Sequence, residues 1–188
     1  MATVADWHTR ALDATGRVVA RIPADRWRVR TPCPEWDVRG LVSHLVSGNL
    51  WAAELGTGGT IEQVGDRLDG DLLGADPAAA YVASARAASD VFHRPGALDA
   101  PCAVSYGPVP GSVYAGHRLI DVLIHGWDLA TATGQDAALD DDLVEACRQV
   151  VQPQIDMLRA SGAFGEGKPV PPGASGQARL LAMLGRSG

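Results

Sequence analysis

The sequence predicts an all-α protein: an antiparallel four-helix bundle with an additional C-terminal helical segment. Three observations carry this. Apolar residues recur at helical spacing in several stretches of roughly 15–20 residues. Capping or breaking residues bound each stretch, and no set of alternating apolar and polar residues describes a sheet. The 188 residues suit a single domain over 1–188 with a real core.

The first helix is expected over residues 4–21, with Trp7, Ala11, Ala14 and Val18 on one face and Pro23 closing it. Two prolines make the stretch before Trp36 an extended connection. Asp37 is a natural N-cap for a second helix over 38–55, stopped by Gly56, Gly58 and Gly59. A loop rich in Gly and Asp follows. Asp76-Pro77 opens a third helix, ending near His93. Residues 94–111 hold too many prolines for a helix, with Ala103 to Tyr106 briefly extended. Ser112 can cap a fourth helix over 113–133, with Gly134 as its stop. Asp140 can cap a fifth over 141–160, kinked at Pro153. From Ser161 the tail reads as loop, closing in a short amphipathic segment over 177–184.

The composition is 46% hydrophobic and 20% charged, ordinary for a soluble globular protein. A net charge of −6 argues against nucleic acid as a partner. No apolar run approaches the roughly 18–20 residues a membrane helix needs, and the N-terminus lacks a basic leader with an apolar stretch. Three scattered cysteines describe neither a disulfide framework nor a Cys-rich zinc site, so a reduced, cytoplasmic protein is expected. A homodimer is compatible with the sequence but not fixed by it.

His117, Asp121 and His125 recur every four residues within HRLIDVLIHGWDLATA. On a helix they line one stripe, with Leu119, Ile120, Val122, Leu123 and Ile124 around them. Polar groups held among aliphatics cost several kcal/mol (order of magnitude) unless paired or bound to a cation. Two ligands on one helix need a third from elsewhere, and His44 in LVSHLVSGN sits near the buried face of the second helix. His44, Asp121 and His125 then form a three-ligand set suited to Zn2+, or to Ni2+, Fe2+ or Co2+, with a position left open. The plainer alternative is a hydrogen-bonded core histidine and a helix-face pair. His117 can be a fourth ligand, a partner of a ligand, or a substrate contact. Asp128 can orient the His125 ring. Trp36 and Trp127 read as core anchors or pocket walls. Cys33, before a helix start, can be a stabilised thiolate but reads first as packed between its prolines. His8 and His93 read as surface residues.

TPCPEWDVRGLVSHLV and DVLIHGWDLATATG resemble the two signatures of the DinB-like, mycothiol-dependent maleylpyruvate isomerase N-terminal domain family. The tail PVPPGASGQARLLAMLGR resembles the closing segment of a small actinobacterial-type subgroup of these metal-binding proteins. The resemblance implies a DinB/YfiT-like bundle with a divalent metal on His44, Asp121 and His125. The isomerase branch carries Glu at the acidic position, one methylene longer than Asp121. It implies mycothiol or another low-molecular-weight thiol as cosubstrate, in S-transfer or isomerisation of a small electrophile. The isomerase carries a further C-terminal α/β domain and this sequence ends after the tail, so thiol transfer is expected rather than maleylpyruvate isomerisation. His117 and Asp128 are the catalytic candidates. The alternatives are a non-catalytic metal- or small-molecule-binding bundle, closed by His117 as a fourth ligand, and a thiol-independent metalloenzyme tailoring a secondary metabolite.

Overall fold

The computed structural model describes residues 2–160 and 165–187. It is mostly helical with one small two-stranded sheet, and it divides into two compact units, Met1–Gln135 and Asp136–Gly188.

In the first unit, α1 spans Val4–Val19. Thr3 accepts from the Asp6 amide while the Asp6 carboxylate accepts from the Thr3 amide, so two orphan donors are met reciprocally. The helix stops short of the expected Arg21. Arg21 and Ile22 bond three residues back, to Val18 and Val19, and this tightened turn precedes Pro23.

The connection to α2 is mainly a series of turns rather than the expected extended stretch, and it is pinned by hydrogen bonds. Val38 and Arg39 donate to the carbonyls of Val29 and Trp27, and the Thr31 hydroxyl reaches Trp36 O at 2.9 Å. Trp36 is thereby fixed just ahead of α2, Val38–Gly56, whose Asp37 cap accepts from the Gly40 amide at 2.8 Å. A one-turn helix, α3 (Ile61–Val64), stands in the segment expected to be loop. Its signal was a Thr60–Gln63 capping box. Next comes α4, Pro77–Phe92, capped by Asp76 as the Asp-Pro pair predicts.

The proline-rich stretch forms a hairpin of β1 (Pro101–Val104) and β2 (Gly107–Pro110), with Cys102 opposite Val109. Ser105 and Tyr106 make its turn, so only the first half of the expected extended stretch is strand. From the hairpin the chain passes directly into α5, Gly111–Thr133. Ser112 is not its cap. The helix begins two residues earlier than expected, behind Pro110, and the first amides bond to loop carbonyls: Gly111 to Ala100 and Ser112 to Leu98, both at 2.8 Å. Gly134 ends α5 at φ +72°, as expected of a glycine stop.

α1 packs against α5 and α4, and α2 packs against α4 and α5. Leu41, Leu45, Tyr81, Phe92, Leu119, Ile120, Leu123, Ile124 and Leu129 are fully buried. Close approach of α1 to α5 depends on Gly126, where a methyl would overlap the Thr15 hydroxyl; that hydroxyl donates to Val122 O at 3.0 Å.

In the second unit, α6 (Asp141–Val151) is capped by Asp140 as expected. Pro153 does more than kink it: the helix changes to a 3-10 turn over Gln152–Gln154 and resumes as α7, Ile155–Ala160. The loop expected from Ser161 begins outside the described residues. The C-terminal segment is α8, Gly176–Met183, capped by Ser175 and packed against α6. Among the described residues, no helix is long and apolar enough to cross a membrane.

Candidate metal centre

His44 comes from α2, while Asp121 and His125 come from consecutive turns of α5. His44 Nε2 lies 3.1 Å from Asp121 Oδ1 and His125 Nε2 lies 3.4 Å from the same oxygen. One potential ligand atom from each residue falls within 4.8 Å of the others. His125 is buried, and His44 and Asp121 are partly exposed.

Trp36 packs against the group. Its indole stacks on His44 at 4.4 Å between centroids and meets His125 edge-on at 5.7 Å. The two imidazoles are themselves nearly perpendicular, 5.2 Å apart. The aromatic packing fixes both ring planes, which is why the pinned Trp27–Asp37 connection matters. Trp36 thus lies against two of the three residues, while Trp127 is buried in the core. Asp128 is fully buried, and its Oδ2 accepts from His125 Nδ1 at 3.0 Å. The orienting role expected of it corresponds to this contact: with Nδ1 engaged, Nε2 faces Asp121.

The second Asp121 oxygen is also taken. Arg118, one helical turn earlier and buried, donates from one guanidinium nitrogen to Asp121 Oδ2 at 2.8 Å and from the other to Asn49 Oδ1 at 3.1 Å. Asn49 donates in turn to the Ser84 hydroxyl, which donates to Tyr81 O. Sequence reasoning passed over Arg118 and Asn49. The available signal was a lone Arg inside the apolar run of α5, three residues before a carboxylate.

Burial alone would raise the Asp121 carboxyl, but the Arg118 guanidinium, followed by His125, holds it well below the usual carboxylate range. Burial alone would lower His125; the Asp121 and Asp128 carboxylates outweigh it and raise it to about 9. At neutral pH the group is therefore an ionised carboxylate facing an imidazolium. A dication taking the place of that proton meets the donor types it prefers, two imidazole nitrogens and a carboxylate oxygen.

The other candidates lie apart. His117 is outside the three-residue group; its Nδ1 is 2.6 Å from the hydroxyl of Tyr106 at the hairpin turn. Cys33 is buried and its thiol donates to Glu35 at 3.0 Å. None of the three cysteines is in a disulfide. His93 is exposed, as expected, and bonds to Asp6. His8 is not a surface residue: it is fully buried, edge-on to Phe92, and neither ring nitrogen has a partner among the described residues. The helical spacing of α1 placed Trp7, Ala11, Ala14 and Val18 on one face; Ala11 is buried as expected, but the other buried positions are Ala5, His8, Leu12, Thr15 and Val19, each one residue on from those expected or a turn away.

Two uncharacterized proteins of Mycobacterium tuberculosis, from strains CDC 1551 / Oshkosh and ATCC 25618 / H37Rv, are similar to this chain. Each is 39% identical over 189 residues, spanning 96% of this chain and 96% of its own length. No solved structure matches the chain. The family model described as the mycothiol maleylpyruvate isomerase N-terminal domain matches residues 8–130, which include the whole His44, Asp121 and His125 group. The chain belongs to that mycothiol-related, DinB-like family.

Proposed function

We propose that His44, Asp121 and His125 hold a divalent cation, Zn2+ first among the candidates, in an enzyme that activates a low-molecular-weight thiol. Mycothiol is the expected thiol, and its acceptor is an electrophilic small molecule that undergoes S-transfer or isomerisation. The first unit would be an antiparallel DinB/YfiT-like four-helix bundle with the ion between α2 and α5. One observation carries the proposal: two imidazoles and a carboxylate, from two helices, bring their ligand atoms within 4.8 Å of one another. This donor set fits a borderline dication and supplies three protein ligands, the number found in sites that keep a position for substrate.

The bound ion would supply Lewis acidity, enough to favour the thiolate of a thiol at neutral pH. The chain's own residues do the rest. Asp128 holds His125 through Nδ1 so that Nε2 stays directed at the centre. Trp36 stacks on His44 and holds its ring plane. His117, one turn before Asp121 and bonded to the Tyr106 hydroxyl, offers a polar contact or a proton acceptor for the substrate. It stands apart from the three ligand atoms, which favours substrate contact over a fourth ligand and so favours catalysis over a closed, structural site.

The test is metal analysis of protein purified without added metal, followed by thiol-consumption assays with mycothiol and a panel of electrophiles. The expected result is about one equivalent of divalent metal in the wild type, lost in His125→Ala, and thiol consumption that tracks metal content. A wild-type chain without stoichiometric metal contradicts the proposal at its base. A metal-replete chain that consumes no thiol contradicts its thiol half.

A further inference from the structure

Arg118 stands out among the buried groups. It does not touch solvent freely, it offers no ligand atom, and yet it occupies half of a candidate ligand. Its guanidinium bridges Asp121 Oδ2 and Asn49 Oδ1, at 2.8 and 3.1 Å. Asn49 is tied through Ser84 to the backbone of α4, so the fork is held from two helices besides its own. Gly48 makes the room: a methyl at that position would overlap the guanidinium. An isolated surface pair would need none of this; the packing of α2 is fitted around the fork.

Two consequences follow for the carboxylate. With Oδ2 engaged, only Oδ1 faces the His44 and His125 nitrogens. The charges around the centre are also set. Asp121 and Asp128 contribute two negative charges and Arg118 returns one, so the protein side carries a single negative charge when both imidazoles are neutral. A dication then leaves one positive charge in excess, in a largely buried setting where such an excess is felt strongly.

We propose that Arg118 is a positioning residue that confines Asp121 to ligation through Oδ1 and biases the loaded centre toward a monoanionic ligand, the charge class of a thiolate. This rests on the metal reading above. It adds which charge the vacant position selects and which residue sets the selection.

The experiment uses cobalt(II) as the ion and azide as the anionic probe, with the visible cobalt bands as the readout. Wild type, Arg118→Gln, Arg118→Lys and Gly48→Ala are loaded with cobalt and titrated with azide, with helical circular dichroism checked for each. The expected result is azide binding by the wild type and at least about tenfold weaker binding by Arg118→Gln, the scale typical of residues that orient ligands. Arg118→Lys, which keeps the charge, recovers most of the affinity. Gly48→Ala displaces the guanidinium from Asp121 but keeps its charge, so it weakens azide binding less than Arg118→Gln does and changes the cobalt band intensity. The cobalt band intensity also changes in Arg118→Gln as Asp121 becomes able to offer both oxygens. A merely structural role would lower thermal stability and leave azide affinity and band intensity unmoved; that outcome, in cobalt-loaded variants, overturns the proposal. So does a cobalt-loaded wild type that does not bind azide. If Arg118→Gln fails to fold, Gly48→Ala carries the same criterion. A wild type that takes up no cobalt contradicts the metal reading itself, and this inference with it.

Discussion

His8 predicts a pH dependence that a single substitution removes. It lies on the buried face of α1 against Phe92, with both ring nitrogens lacking partners among the described residues. Burial lowers it from 6.5 to about 3; the Arg118 charge and His93 add to the shift, and Asp121 opposes it. The folded chain therefore keeps His8 neutral where the unfolded chain protonates it. Stability from this group is complete above pH 6.5 and is lost as pH falls from 6.5 toward 3, because the unfolded state binds the extra proton. At about 1.4 kcal/mol per pH unit, the full window corresponds to roughly 5 kcal/mol, comparable with the whole stability of a small domain. Between pH 7.5 and 4.5 the loss is roughly 3 kcal/mol. Other groups pull elsewhere. Asp121 is held low, so its contribution is lost only below the ordinary carboxylate range. His125 is raised to about 9, so its contribution is complete below pH 6.5 and is lost as pH rises through 9. Urea unfolding at half-unit pH steps, for wild type and His8→Leu, isolates the difference. His8→Leu removes an unpartnered ring N–H and is expected to match or exceed the wild type at pH 7.5. It should exceed it by roughly 3 kcal/mol more at pH 4.5. Parallel stability curves across that window would refute the reasoning.

Two further outcomes are expected. Gly126→Ala places a methyl against the Thr15 hydroxyl at the α1–α5 contact and should cost about 1–3 kcal/mol by urea unfolding, relieved in part by adding Thr15→Ala, which removes the overlapping hydroxyl. Asp128→Asn leaves the fold intact but loosens His125, and should weaken zinc binding by about 10–100-fold in a competition titration; unchanged affinity would remove Asp128 from the centre.

Much of the fold was legible because capping chemistry is local. Asp37, Asp76 and Asp140 each cap the helix that the sequence assigns to them, and Gly134 ends α5 in the left-handed conformation only glycine adopts readily. The His44, Asp121 and His125 group was legible because helical spacing puts two of its members on one face. What was hidden depends on tertiary partners. Ser112 looks like a cap, but carbonyls of Leu98 and Ala100 bond to the first amides of α5 instead. Tyr106 reaches His117 only because β1 and β2 pair. His8 looks like a surface residue since nothing in its neighbours announces that α1 is rotated by one position. Arg118 was passed over because an arginine in an apolar run has many explanations until Asp121, Asn49 and Gly48 are seen around it.

The central claim is that a dication bridges α2 and α5 through His44, Asp121 and His125. Isothermal titration of zinc into metal-stripped wild type, His44→Ala and His125→Ala at pH 7.5 tests it most directly. The predicted result is a single tight site in the wild type, with proton release as the imidazolium of His125 gives way to the ion, and no such site in either variant. Binding that is absent from the wild type, or that survives both substitutions undiminished, would contradict it.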